Sequence, residues 1–163
     1  MRAYVGVGTN LGDRWGHLAH AAKALRAEPR IALLRGSRVF DTAPMGPAQP
    51  RYLNAVLELE VDLPAGALLE ALQRVERRCG RRRKGVRWAA RTLDLDLLLL
   101  DDEVVRTPAL VLPHPGILTR RFVLAPLAEL CPDRIVPGTG CTVARLLGDA
   151  PAADVVPVGI YPL

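Results

Sequence analysis

The stretch Arg91-Thr92-Leu93-Asp94-Leu95-Asp96-Leu97-Leu98-Leu99-Leu100 constrains this chain more than any other. Its first half alternates with the period of a strand, so Leu93, Leu95 and Leu97 go to one face and Asp94 and Asp96 share the other. The four leucines that follow read as a buried strand. Same-face neighbours on a strand stand about 6.6 Å apart, which lets both carboxylates reach one hard cation, or a pair of cations, with Mg²⁺ the natural candidate. An isolated D-x-D is more often a solvated strand face, so the surroundings have to decide.

Those surroundings are basic. From Arg77 to Arg91 there are eight basic residues (Arg77, Arg78, Arg81, Arg82, Arg83, Lys84, Arg87, Arg91) and none acidic. The whole chain has 22 Lys and Arg against 17 Asp and Glu, and setting these eight aside leaves 14 against 17. The excess positive charge is therefore one patch beside one pair of carboxylates. Guanidinium forks together with metal-holding carboxylates are what a polyphosphate needs.

At 163 residues the chain makes one domain, 1–163, with room for a substantial core. No apolar run approaches the 18 or so residues of a membrane span, and no secretory signal pattern opens the chain, so a cytoplasmic protein is expected. Cys79, Cys131 and Cys141 are odd in number and widely spaced, with no C-x-x-C, which argues against both a disulfide framework and a zinc site. Only two Asn and two Gln occur. Three of those amides, Asn10, Asn54 and Gln73, fall in segments that matter below.

In chain order, Arg2 to Val7 reads as a strand and Asp13 as the cap of a helix running to about Ala27, in which Trp15, Leu18, Ala22 and Leu25 recur at helical spacing. Gly6 to Gly12 has the wrong spacing for a dinucleotide fingerprint, and Gly80 to Gly85 lacks the Lys and Ser/Thr of a phosphate-binding loop. His17 and His20 read as a solvated pair. Ile31 to Phe40 reads as the second strand and leads into a stiff proline-rich loop, Asp41 to Pro50. Tyr52 to Val61 is the third strand. Glu58 and Glu60 suggest that its second face meets water, which leaves Tyr52 and Asn54 where a flat heterocycle could sit. Pro64 opens a helix that ends at Gly80 and carries Gln73 and Glu76 on its polar side.

After Leu100 come a turn, a short return at Val104-Val105, and His114 clamped between prolines. A helix over Phe122 to Glu129, preceded by Arg120 and Arg121, a short helix near Val143–Leu147 and a terminal Val155–Val158 segment complete the chain. Strand, helix, strand, strand, helix, strand is the βαββαβ order of a ferredoxin-like α+β fold. Its helices are expected on one face of the sheet, with extra C-terminal helices and a short terminal hairpin.

Several segments together resemble the 6-hydroxymethyl-7,8-dihydropterin pyrophosphokinases of folate biosynthesis. They are Gly8-Thr9-Asn10-Leu11-Gly12, Thr42-Ala43-Pro44-Met45-Gly46-Pro47, Tyr52-Leu53-Asn54-Ala55, Gln73-Arg74-Val75-Glu76, Gly80-Arg81, Arg91 to Asp96, Pro113-His114-Pro115, Arg120 and Phe122 to Leu127. They occur in family order from residue 4 to about 130. The resemblance implies transfer of the βγ-diphosphate of ATP, as co-substrate, to the pterin hydroxymethyl oxygen. It implies that Asp94 and Asp96 hold two Mg²⁺ ions and that Arg81 and Arg91 stabilise charge on the phosphates. It gives ATP contacts to Gln73, Arg83, Arg87, Leu97, His114 and Arg120, with Trp88 closing over the site. It gives the pterin to Tyr52 and Phe122 as a sandwich, to Asn54 at its edge, and to the backbone at Thr42 and Met45. Small-molecule substrates, no nucleic acid, no membrane and a monomer are the expected partners and state. Ala89-Ala90 stands where the family commonly has Gly-Pro, and Phe40 where it often has Tyr. The competing class is an RNA-binding ferredoxin-like module, served by the basic patch but lacking aromatic pairs on central strands and leaving Asp94 and Asp96 facing phosphates without purpose.

Overall fold

The structure, a computed structural model, describes residues 1–46, 48–80 and 92–163. Its core is β1 (Arg2–Thr9), α1 (Arg14–Ala27), β2 (Ile31–Gly36), β3 (Arg38–Thr42), β4 (Tyr52–Val61), α2 (Ala65–Arg78) and β5 (Asp94–Leu100). After it come β6 (Val105–Arg106), β7 (Val111–Leu112), a 3-10 turn at Pro115–Ile117, α3 (Arg121–Leu130), α4 (Val143–Asp149) and β8 (Val155–Ile160). The sheet runs β5-β1-β4-β3-β8 with β2 also on β4, every pairing antiparallel. The last core strand thus lies beside the first, as a ferredoxin-like βαββαβ unit requires. Among the described residues no helix is long and apolar enough to cross a membrane.

The two core helices form where their caps allow. The Asp13 carboxylate accepts from the Gly16 N–H at 3.0 Å and starts α1, which buries Leu18, Ala21, Ala22 and Leu25. α2 follows Pro64, buries Leu68, Ala71, Leu72 and Val75, and is followed by Gly80 at φ 78°, a left-handed position that suits glycine. Both helices pack on one face of the sheet against Val5, Val7, Leu57, Leu59, Leu95 and Leu97.

The other face is where expectation and structure part. Glu58 does not meet water; its side chain is 4 % exposed. Its carboxylate accepts from the Tyr4 hydroxyl at 2.7 Å and from Arg35 Nε at 2.7 Å, and Arg35 also donates to the Leu130 carbonyl at 2.7 Å. This ion pair closes one end of a second core, in which Tyr4, Val56, Leu98 and Leu99 meet Leu124, Leu127 and Leu130 of α3 and Val143 of α4. Helices therefore cover both faces, because the C-terminal third supplies an apolar face of its own.

Three local differences have plain causes. The strand expected over 31–40 divides at Ser37, whose buried hydroxyl takes the Val56 N–H at 2.9 Å in place of a carbonyl, giving β2 and β3. The four-leucine run holds a bulge: Val5 faces Leu97 and Tyr4 faces Leu99, so Leu98 is the extra residue, and Leu98 and Leu99 both join the second core. The terminal segment does not fold back as its own hairpin. β8 pairs along β3 and extends the main sheet, while the small hairpin is β6 with β7.

Candidate active site

The first row of the site follows from register. On β5, β1, β4 and β3 the residues Asp94, Gly8, Asn54 and Phe40 stand opposite one another, and in the next row Asp96, Gly6 and Val56 do so. Paired residues share a face, so both carboxylates stand at the edge of a floor cleared by two glycines. Sequence reasoning passed over Gly6 and Gly8; the alternation that marked Asp94 and Asp96 also marks them, once the pairing is known. A Cβ on Gly8 would lie 2.9 Å from Asn54 Oδ1.

Above this floor lies a cavity of about 120 Å³. Its walls include Thr42, Met45, Tyr52, Asn54 and Phe122, the five residues expected for the pterin, together with Asp94, Asp96 and Arg120. The Asn54 amide donates to the buried Thr42 hydroxyl at 2.6 Å, which fixes the amide plane across β3 and β4. Asn10, itself 1 % exposed, donates to Gln49 Oε1 at 2.8 Å and to the Pro50 carbonyl at 2.9 Å, and Gln49 donates to the Met45 carbonyl at 3.2 Å. The proline-rich loop is thereby laced to the end of β1, and Asn10 serves the pocket without lining it.

A second cavity, about 280 Å³, opens on the other side of β5. Leu69, Leu95, Leu97, Leu110 and Val111 give it apolar surface, and Asp96 and His114 give it polar groups. Asp96 lines both cavities. The His114 main chain is anchored by its N–H to the Leu98 carbonyl at 3.0 Å, and its Nδ1 accepts the Gly116 N–H at 2.9 Å. With Nδ1 occupied as an acceptor, the neutral ring carries its proton on Nε2. Burial, helped by the Arg120 charge and opposed by Asp94, lowers the His114 pKa and keeps the ring neutral.

One residue departs from expectation. Glu76 is not on a polar side: it is 4 % exposed and its Oε2 accepts the Leu95 N–H at 2.9 Å, holding the main chain between the two aspartates. Arg121 serves the fold, donating to the carbonyls of Leu147, Ala150 and Pro151 at 3.3, 2.9 and 3.1 Å. Gln73 is half-buried on α2 and lines neither cavity. Arg81, Arg83, Arg87, Trp88 and Arg91, and with them the Ala89-Ala90 departure, lie outside the described residues.

Among the described residues no group of three or more His, Cys, Asp and Glu is placed to hold a metal. Two carboxylates are nevertheless the donor set that suits Mg²⁺, which keeps waters and takes its remaining ligands from substrate phosphates. The site is thus of the phosphoryl-transfer class, with acidic residues at a seam between an aromatic pocket and a second cavity of mixed polarity.

Comparison with known proteins gives that class its family. Residues 4–132 match the model of the 7,8-dihydro-6-hydroxymethylpterin-pyrophosphokinase family. The chain is 41% identical over 130 residues, 79% of this chain and 77% of the other, to the 2-amino-4-hydroxy-6-hydroxymethyldihydropteridine pyrophosphokinase of Bacillus subtilis. It is 40% identical over 152 residues, 93% of each chain, to the Pseudomonas aeruginosa protein of the same name. Among solved structures, the wild-type HPPK-DHPS of Plasmodium falciparum matches in fold at a TM-score of 0.66 and 12% identity, over 90% of this chain and 43% of that longer one. The chain belongs to the 7,8-dihydro-6-hydroxymethylpterin-pyrophosphokinase family. It is an enzyme, a pyrophosphokinase, which is a diphosphotransferase.

Proposed function

We propose that this chain transfers the βγ-diphosphate of ATP to the hydroxymethyl oxygen of 6-hydroxymethyl-7,8-dihydropterin, giving AMP and the pterin diphosphate, in the cytoplasm. The observation that carries the reading is the single cavity in which Tyr52, Phe122, Asn54, Thr42 and Met45 stand beside Asp94 and Asp96. A flat, polar-edged heterocycle fits the aromatic pair and the amide, and its side arm would then reach the carboxylates. The cavity across β5, with leucines and His114 in its wall, suits an adenine or ribose with phosphates directed to Asp96. Three free cysteines fit a reducing compartment.

In the reaction the pterin oxygen attacks the β-phosphorus of ATP. The bond from that phosphorus to the α–β bridging oxygen breaks, AMP leaves with the bridging oxygen, and the hydroxyl proton is lost. Asp94 and Asp96 would hold the two Mg²⁺ ions of the resemblance, which neutralise phosphate charge and lower the pKa of a bound oxygen. Arg120 lines the cavity beside both carboxylates and would balance developing phosphate charge. His114 would donate one neutral hydrogen bond through Nε2. Asn54, locked by Thr42, and the laced loop at Met45 would hold the pterin so that its hydroxymethyl group cannot turn away from the β-phosphorus. Arg81 and Arg91 would act on the phosphates, and Gln73, Arg83, Arg87, Leu97 and Trp88 would contact the nucleotide. The test is product identity with Mg-ATP and the pterin. AMP formed in step with pterin consumption is expected, and ADP as the main product would sink the reading.

A further inference from the structure

We infer that Thr9 is a positioning residue: its buried hydroxyl, oriented by His17, holds the main chain at Thr92 and sets how the segment before Asp94 joins the carboxylate strand. This rests on the functional reading above. Thr9 is the last residue of β1 and is wholly buried. The ladder between β1 and β5 ends one step earlier, at Gly8 opposite Asp94. Thr92 lies beyond that end, where no rung of the ladder fixes it. Among the described residues, the Thr9 hydroxyl holds it by donating to the Thr92 carbonyl.

The direction of this bond is forced. A carbonyl only accepts, so the single hydroxyl proton of Thr9 is spent on Thr92. His17 Nδ1 lies 3.3 Å from the same Thr9 oxygen and must then bring a proton of its own. The donors run one way, from His17 on α1 through Thr9 on β1 to Thr92. A hydroxyl sealed from water is costly unless paired at both ends, and here both ends are paired. Valine would fill the same volume but would leave the Thr92 carbonyl and His17 without this partner.

What the arrangement controls is place. Thr92 is the neighbour of Arg91, which the resemblance sets on the phosphates, and stands two residues before Asp94. A displaced Thr92 carbonyl moves Asp94, and a misplacement of about 1 Å can cost about a hundredfold in rate. Thr9, His17 and Thr92 are all absent from the lining of the pterin cavity. Rate and nucleotide affinity should therefore respond while pterin affinity does not.

The experiment compares Thr9→Val, Thr9→Ser, His17→Phe and the double variant Thr9→Val with His17→Phe. Calorimetry gives affinity for the pterin alone and for a non-hydrolysable ATP analogue with Mg²⁺, and steady-state kinetics gives kcat and KM. Thr9→Val should lose tenfold or more in kcat and severalfold in analogue affinity, with pterin affinity within twofold of the parent. Thr9→Ser should recover to within threefold of the parent. His17→Phe should lose at least threefold, and the double variant should be no worse than Thr9→Val, since both break one chain of donors. A folded Thr9→Val within twofold of the parent in kcat and analogue affinity overturns the inference, as does a Thr9→Ser no better than Thr9→Val. If Thr9→Val does not fold, His17→Phe at its half-exposed position decides, and parental kcat and analogue affinity there overturn the inference. A parent chain that yields no AMP refutes the functional reading instead, and the analogue affinities then still decide the role of Thr9.

Discussion

Replacing Gly8 by alanine should weaken pterin binding while leaving the fold intact. The added Cβ would stand 2.9 Å from Asn54 Oδ1, and ordinary contacts begin at 3.4 Å, so the amide has to move by about half an ångström. Asn54 cannot give way freely, because its Nδ2 is held 2.6 Å from the Thr42 hydroxyl. Either that bond breaks or the amide swings into the cavity, and both outcomes spoil the edge offered to the ligand. Losing a hydrogen bond while leaving a buried partner unmet costs about 1–3 kcal/mol, or about 5- to 150-fold in Kd. Stability should change little: Gly8 is not among the positive-φ glycines, and alanine restricts the unfolded chain by about 0.4–1 kcal/mol, which offsets part of the strain. The assay is calorimetric titration of the pterin without nucleotide. Gly66→Ala serves as control, since a Cβ there meets nothing within 4 Å. Pterin affinity of Gly8→Ala within twofold of the parent would show that the glycine floor does not set the amide.

Asp94→Ala or Asp96→Ala should lower turnover at least about a hundredfold, the loss of several kcal/mol of charge stabilisation. The melting temperature should hold or rise, because two neighbouring carboxylates no longer repel; near-normal turnover in either variant would refute the metal role. Arg121→Ala strips the donors from three main-chain carbonyls and should cost about 1–2 kcal/mol in denaturant unfolding, with KM for both substrates unchanged. Burial alone would raise the Glu58 pKa, but the hydrogen bonds from Arg35 and Tyr4 and the charges of Arg35 and Arg2 hold it below 4.5. A depressed carboxyl contributes stability above its unfolded pKa and loses it as pH falls through the folded one, so Glu58→Gln should flatten the stability loss below about pH 4.5. Parallel acid limbs in the two proteins would exclude Glu58 as their source.

What the sequence disclosed was whatever depends on near neighbours. Alternation alone marks Asp94 and Asp96 as sharing a face, and Asp13 caps α1 through the N–H of Gly16, three residues on, whatever the rest of the chain does. Tyr52 and Asn54 were found by the same alternation. What stayed hidden depends on partners far along the chain. Glu58 reads as a water-facing acid because Arg35, Tyr4 and the Leu130 carbonyl that Arg35 holds come from other elements. Glu76 reads as a polar helix residue because its partner is a main-chain N–H on β5. The bulge at Leu98 has no signature in four identical residues. Arg121 looks like Arg120 until the carbonyls of Leu147, Ala150 and Pro151 are in place at the end of α4.

The position of β1 has a consequence for how the chain comes into being. β1 lies between β4 and β5 in the sheet, with Arg2 opposite Glu60 and Ala3 opposite Leu100. β1 is made before both of its neighbours and can complete its pairing only after Leu100 has emerged, about 5–20 s later at ordinary rates of synthesis. Through that interval Ala3, Val5 and Val7, all destined for the core, wait on a strand with an open edge. Loop closure over such a span is slow. The newborn chain is thus most exposed to misassociation before its carboxylate strand arrives, and the same strand that carries Asp94 and Asp96 ends that exposure.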